Sequence, residues 1–327
     1  MPEAPPHPAT AFLPFGLFLI IMIGTVIAPG LGIMLSLFTP APLILLYLQH
    51  GKSAGLISVG AVVILLAWMV GMEAAMGFAA AYALVVILLA EGIRFQLAPE
   101  KTIGVAALSA TVLSGVLLWM AVSGENQSLL TFFESQLQVS ANEYLKALKE
   151  AGTPEDELQF MQGVAERYTP MMARALFAVL AVGSLITAVL NYVLVRALWL
   201  RFYPRSYFQD AAPNQWMLPD PMVWGFIASA AALFLGEGAL TLVGMNVFIV
   251  MLALYFFQGL AIASSILSAK RAHPAIAVLV YLLVFTQPLL MGLVIGLGLF
   301  DVWIDFRKIR PQAGQPEEDR DPDDYEN

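Results

Sequence analysis

The sequence predicts an all-α fold: a polytopic transmembrane helix bundle of about ten crossings, with eight or nine as the fallback count, and an extracytoplasmic amphipathic helical insert. Three observations carry this. Apolar residues make up 59% of the 327-residue chain and charged ones only 12%, whereas a soluble domain is roughly 45 to 50% apolar. The mean hydropathy is +0.78. Apolar runs recur at lengths near the about 20 residues that a helix needs to cross a hydrocarbon core of about 30 Å.

The opening "MPEAPPHPATAFLPFG" has no basic n-region and no small-residue cleavage site, so the first apolar run reads as a retained membrane helix behind a Pro-rich tail. Crossings are expected over Phe12 to Ala28, Leu31 to Gln49, Ser53 to Gly71, Ala75 to Glu91, Ile103 to Val122, Pro170 to Leu200, Met222 to Leu235 and Leu240 to Ser268. Turns fall between them at "APGLG", "HGKS", "GMEAAMG", "EGIRFQLAPEK" and "GEG", where Gly, Pro and charge are tolerated. The last apolar stretch, Pro274 to Phe306, would be roughly 50 Å long as one helix. Pro288 removes a backbone donor and disfavours helix at Gln287, which favours a hairpin of two helices.

Charge sets the orientation. Lys52, Arg94, Lys101, Arg196, Arg201, Arg205, Lys270, Arg271, Arg307, Lys308 and Arg310 fall on one set of alternate turns, and the other short turns carry no basic residue. The basic set is therefore expected in the cytoplasm together with the N-terminus and the C-terminal tail. The hydrophilic insert 123–169 falls outside, with eight acidic and three basic side chains. Leu129, Phe132, Phe133, Leu137, Tyr144, Leu145 and Leu148 recur in it at helical spacing. Thr153, Pro154 and Glu157 read as an N-cap, a first-turn proline and a reciprocating acid. Two amphipathic helices that lie on the membrane face or cap the bundle are expected. The chain then divides into a membrane bundle over 1–122, the insert over 123–169, a second membrane bundle over 170–310 and an acidic tail over 311–327, whose composition is that of disorder.

Several chemistries are excluded or unsupported. With no cysteine in the chain, disulfides, thiol nucleophiles and Cys-bound metals are out. Three histidines, His7, His50 and His273, do not suggest an imidazole metal cluster. The sequence has no P-loop and no H-E-x-x-H motif, so no enzyme activity and no cofactor is expected. No basic patch interleaved with stacking aromatics points to nucleic acid.

Polar residues at membrane depth are the substrate-binding candidates, because they are costly there and mark function by default. Glu73 and Glu237 lie near outer turns, as interfacial carboxylates or as ion or substrate ligands. Glu91 and Arg94 can pair on one helix face. Asn191 lies in the sixth crossing, and Asn246 and Gln258 lie in the eighth, about 120° apart on its wheel. These three amides fit interhelical hydrogen bonding or ligand binding. The stretch "GLFDVWIDFRKIR" ends the last helix: Trp303 suits an aromatic belt, and Arg307, Lys308 and Arg310 suit a cytoplasmic exit. Asp305 is expected at the interface. Asp301, a turn deeper, has either a polar partner on another helix or a functional role. The pairs Gly51 and Gly55, Gly292 and Gly296, and Gly259 and Ala263 have the spacing that permits close helix approach.

The runs "PAPLILLYLQHGKSAG", "QWMLPDPMVWGF", "NVFIVMLALYFFQG" and "GLFDVWIDFRK", in that order over nearly the whole chain, resemble the YybS-like predicted membrane proteins, a bacterial family of unknown function. The resemblance implies a multi-pass protein of the bacterial inner (cytoplasmic) membrane. It also implies an S-component-like bundle for the first helices, as in energy-coupling-factor transporters. This chain is longer than an S component, and no ligand residues transfer. Two functions remain: a substrate-binding or transport subunit without its own ATPase, or a non-catalytic membrane scaffold or lipid-interacting assembly factor. The expected partners are membrane lipids and a separate transporter or membrane protein subunit.

Overall fold

The computed structural model describes residues 12–27, 34–123, 128–203, 207–208 and 216–307. The expectations for the Pro-rich start with His7, the "APGLG" turn, Arg205, Lys308, Arg310 and the 311–327 tail lie outside the described residues. Among the described residues there is no strand. The helices are α1 (Leu13–Ile27), α2 (Pro40–His50), α3 (Lys52–Met69), α4 (Met72–Phe78), α5 (Leu84–Arg94), α6 (Pro99–Val122), α7 (Leu129–Glu150), α8 (Glu155–Arg174), α9 (Leu176–Phe202), α10 (Met222–Leu235), α11 (Ala239–Ala269), α12 (Pro274–Thr286) and α13 (Pro288–Ile304). A π-helical turn, Ala79–Ala83, joins α4 to α5.

Five stretches are long and apolar enough to cross a membrane: α3, Met72–Arg94, α6, α9 and α11. The pair α12 and α13, bent by 104° at its break, makes a sixth if counted as one span. The remaining apolar helices are shorter: α1 has 15 residues and α10 has 14. The expected break at Gln287 is present, with Gln287 extended at φ −112° and ψ 108°.

Four boundaries differ from the expectation. "GMEAAMG" is helical from Met72 onward; Gly71, at φ 129°, makes the turn alone because a glycine tolerates positive φ. The residues before Pro40 form a tight turn, with Phe38 N–H donating to Leu35 and Thr39 N–H to Ser36. Finally, α8 runs through Pro170 to Arg174, so the insert joins the next membrane helix at Ala175 and not at 169–170. The start of α8 also shifts by one position. Pro154 is the non-helical residue before it, no side chain caps that end, and the Thr153 cap is not formed.

The chain forms two compact units, Met1–Leu254 and Tyr255–Asn327. In the first, α6 and α9 pack side by side, and α2 and α5 pack against them. Ala106 and Ala110 on α6 and Ala178 and Ala188 on α9 are fully buried, small residues that let helix backbones approach in a membrane where apolar burial drives little association. Ile44, Leu45, Val85, Val86 and Leu89 fill the space beside them. The pair α7 and α8 packs mainly on itself, and α7 has no buried residue.

In the second unit, glycines set the crossing of α11 with α13. A Cβ at Gly259 would collide with the Val294 carbonyl, and one at Gly298 with the Tyr255 carbonyl. Gly292 and Gly296 have open space around them, so their spacing marks no interface among the described residues.

Candidate functional site

The sequence candidates fall into five places. Asp301 and Gln258 meet in the second unit. The Gln258 Nε2 donates to Asp301 Oδ2 at 3.1 Å, and Arg307 Nη2 donates to the same oxygen at 2.8 Å. Phe306 N–H donates to Asp301 Oδ1 at 3.0 Å. This geometry follows from the end of α13. Asp305 adopts the left-handed conformation at φ 44°, which Asp tolerates better than most residues, and its N–H bonds the Asp301 carbonyl at 3.2 Å. The reversal folds Phe306 and Arg307 back over the last turn. An acid at a helix C-terminus opposes the dipole; here the returning guanidinium offsets it. The side chains of Arg307 and Asp301 are 2% and 1% exposed, so the Arg307 charge is paired inside the protein.

Asn246, on α11 in the first unit, bridges the break between α8 and α9. Its Nδ2 donates to the Arg174 carbonyl at 2.8 Å and to the Leu242 carbonyl at 2.9 Å. Its Oδ1 accepts from Ala178 N–H at 2.8 Å. Helix ends leave carbonyls and N–H groups without partners, and Ala175 at this junction has no side-chain acceptor. Asn246 serves both ends at once.

Asn191, fully buried on α9, donates through Nδ2 to the Leu37 carbonyl and to its own Thr187 carbonyl, both at 2.7 Å. The motif Pro40-Ala41-Pro42 explains the first bond. The prolines have no N–H, and Ala41 N–H donates to Phe38, so an α-helical partner for the Leu37 carbonyl is missing. The Asn191 Oδ1 is buried with no hydrogen-bond partner among the described residues. Glu73, in the first turn of α4, and Glu237, between α10 and α11, are both exposed. Neither joins another candidate.

A further polar cluster was only half visible in the sequence. Glu91 Oε1 accepts from the Tyr47 hydroxyl, from Arg94 Nη1 at 3.2 Å, and pairs with Lys52 Nζ at 3.7 Å. The Arg94 guanidinium lies 6.0 Å from the Tyr47 ring centroid, within the range of a cation–π contact. Gly55 makes room for the ring, since a Cβ there would strike Tyr47. Beside it, Gln49 Nε2 donates to the Tyr203 hydroxyl, and Tyr203 stacks on Trp199 at 4.4 Å. Burial pushes the Tyr203 phenol up to about 12, against a smaller opposing effect of the Gln49 bond. The i, i+3 spacing of Glu91 and Arg94 signalled one pair; the Tyr47 and Lys52 contacts required the tertiary fold. Through Tyr47, Lys52 and Arg94, Glu91 ties α2 and α3 to α5.

The described residues contain no group of three or more His, Cys, Asp or Glu side chains able to hold a metal ion. A family model described as "Predicted membrane protein (DUF2232)" matches residues 16–302. The chain belongs to the DUF2232 family. This is the YybS-like family whose motifs the sequence displays. No curated protein and no solved structure matches the DUF2232 chain. Family membership makes it an integral membrane protein with several apolar helices.

Proposed function

We propose that this DUF2232 protein is a non-catalytic membrane scaffold, with α7 and α8 as an extracytoplasmic docking hairpin on a bundle of about ten crossings. One observation carries the reading: Asp301, Gln258 and Asn246, the polar groups expected to line a transport path, spend their hydrogen-bonding capacity inside the protein. Asp301 takes three donors, and Asn246 uses both amide protons and its oxygen. The hairpin differs, since its charged and aromatic side chains are largely exposed. The positive-inside distribution supports an outer hairpin and cytoplasmic termini in the inner membrane. On this count α1, Met34–His50, α10, α12 and α13 cross as short segments, accommodated by local thinning of the bilayer.

The substrate-binding or transport reading keeps one specific support, the buried Asn191 Oδ1. A transport subunit of this kind would work with a separate ATPase.

Native mass spectrometry of protein extracted gently from its own membrane separates the two. The scaffold predicts a protein partner or second copy that is lost when Phe160 and Tyr168 are replaced by Asp, with thermal stability unchanged. It also predicts no stoichiometric small ligand. A small molecule bound one to one, lost in an Asn191→Leu variant and retained in the hairpin variant, would replace the scaffold with a transport subunit.

A further inference from the structure

We infer that α8 forms a two-fold interface with a second copy of this chain, its exposed apolar stripe packing antiparallel on the same stripe of its partner. The inference rests on the scaffold reading and names the occupant of the docking hairpin. Phe160, Val164, Tyr168 and Met171 recur every three or four residues along α8, so they share one helix face. Phe160 is 72% exposed and Met171 58%, with Val164 and Tyr168 also open. The other helix of the hairpin does not cover them. It faces the opposite side of α8, where Leu158 and Thr169 are buried. There Ala165 and Gln162 line a seam with Ala141 and Asn142 of α7.

Charge decides between occupants. Asp156 and Glu157 stand at the N-terminal end of the stripe, and Arg167 and Arg174 stand toward its C-terminal end. All four are exposed, and none forms an ion pair among the described residues. Acid at one end and base at the other is self-complementary only when two copies run antiparallel. The pairings then share one centre, close to Ala165 and Glu166. Glu157 faces Arg174 of the second copy, Phe160 faces Met171, and Val164 faces Tyr168. A symmetric contact of this type is isologous, the commonest closed arrangement of soluble oligomers. For two copies in one membrane the axis runs along the membrane normal, so α8 lies along the membrane face. A lipid surface fits less well, because interfacial helices are rich in Lys and Arg, whereas α7 and α8 together carry seven acids and four bases.

The chain has no cysteine, so single-cysteine variants report distances without background. In native membrane vesicles under mild oxidation, Val164→Cys should cross-link to itself, since it lies near the axis. Phe160→Cys should not, because its two copies would stand roughly 16 Å apart along the helix. Glu157→Cys and Arg174→Cys should cross-link when co-expressed, and neither alone. Glu157→Arg or Arg174→Glu should each lower the dimer fraction at least tenfold, and the double variant should restore it. All these positions are exposed, so folding is checked by an unchanged melting temperature.

Self-cross-linking of Phe160→Cys, no rescue by the double charge swap, or a monomer whose stripe is shielded by lipid would overturn the two-fold interface. A monomeric protein that loses a different partner in the Phe160→Asp variant overturns the interface alone and leaves the scaffold reading standing. Unchanged assembly in the Phe160→Asp variant overturns both.

Discussion

Glu91 and Asp301 are built alike and differ in water. Each is a carboxylate held by cationic and neutral donors together: Arg94, Lys52 and Tyr47 around Glu91, Arg307, Gln258 and the Phe306 N–H around Asp301. Around Glu91 the side chains of Lys52 and Arg94 remain 60% and 33% exposed. Around Asp301 the side chains of Arg307 and Gln258 are buried. The same chemistry therefore has different consequences, because an exposed pair competes with solvent whereas a buried one has no substitute for a lost partner.

The largest effect is expected at the closed cluster. Arg307→Met leaves Asp301 buried without its cation and should cost about 3 to 5 kcal/mol, seen as a lower melting temperature in detergent. The double variant Asp301→Leu with Arg307→Met should recover most of that, since an apolar replacement of both partners is often neutral. Next comes Asn246→Leu, which orphans the Arg174 carbonyl and the Ala178 N–H; about 2 kcal/mol is expected, with proteolytic sensitivity rising first near Ala175. Glu91→Gln should cost no more than about 1 kcal/mol, because the neighbouring cations reach water. A loss at Glu91 as large as that at Arg307 would break the comparison.

The smallest effect concerns alkali. The Tyr203 phenol is raised from 10.0 to about 12 in the folded protein, so folding favours its protonated form. That contribution is fully present below pH 10 and is lost as pH rises toward 12. Tyr203→Phe should lose less thermal stability than the parent protein between pH 9 and pH 11, compared by melting curves.

The helical class, the interruption before Pro288 and the two amphipathic helices were legible because each leaves a local mark: composition, a missing N–H, or a periodicity. Boundaries were less so. Residues such as Glu73 look like a loop next to two glycines, yet a single positive-φ glycine at 71 suffices for the turn. The polar partners were the least legible. Asn191 reaches Leu37 and Gln49 reaches Tyr203, each across 154 residues of sequence, and no spacing rule reaches that far. The partner of Arg307 was hidden for a different reason. The positive-inside rule counts charges, and one left-handed Asp305 turned a charge back into the protein. In the first unit, the glycine at 55 and the prolines at 40 and 42 were visible as punctuation; what they accommodate, Tyr47 and the Asn191 amide, was not.

The reversal at Asp305 also bears on how the protein is made. Arg307 follows Asp301 by six positions, so at about 5 to 20 residues per second the two leave the ribosome within about a second of each other. A lone carboxylate in a membrane segment is costly to insert, by up to about 2.5 to 3.5 kcal/mol at the bilayer centre. Here the compensating guanidinium arrives with it, supplied by the same short peptide and not by a helix inserted earlier. The Asp301 charge can therefore be paired as soon as the end of α13 is made, and Gln258 can wait until the helices meet.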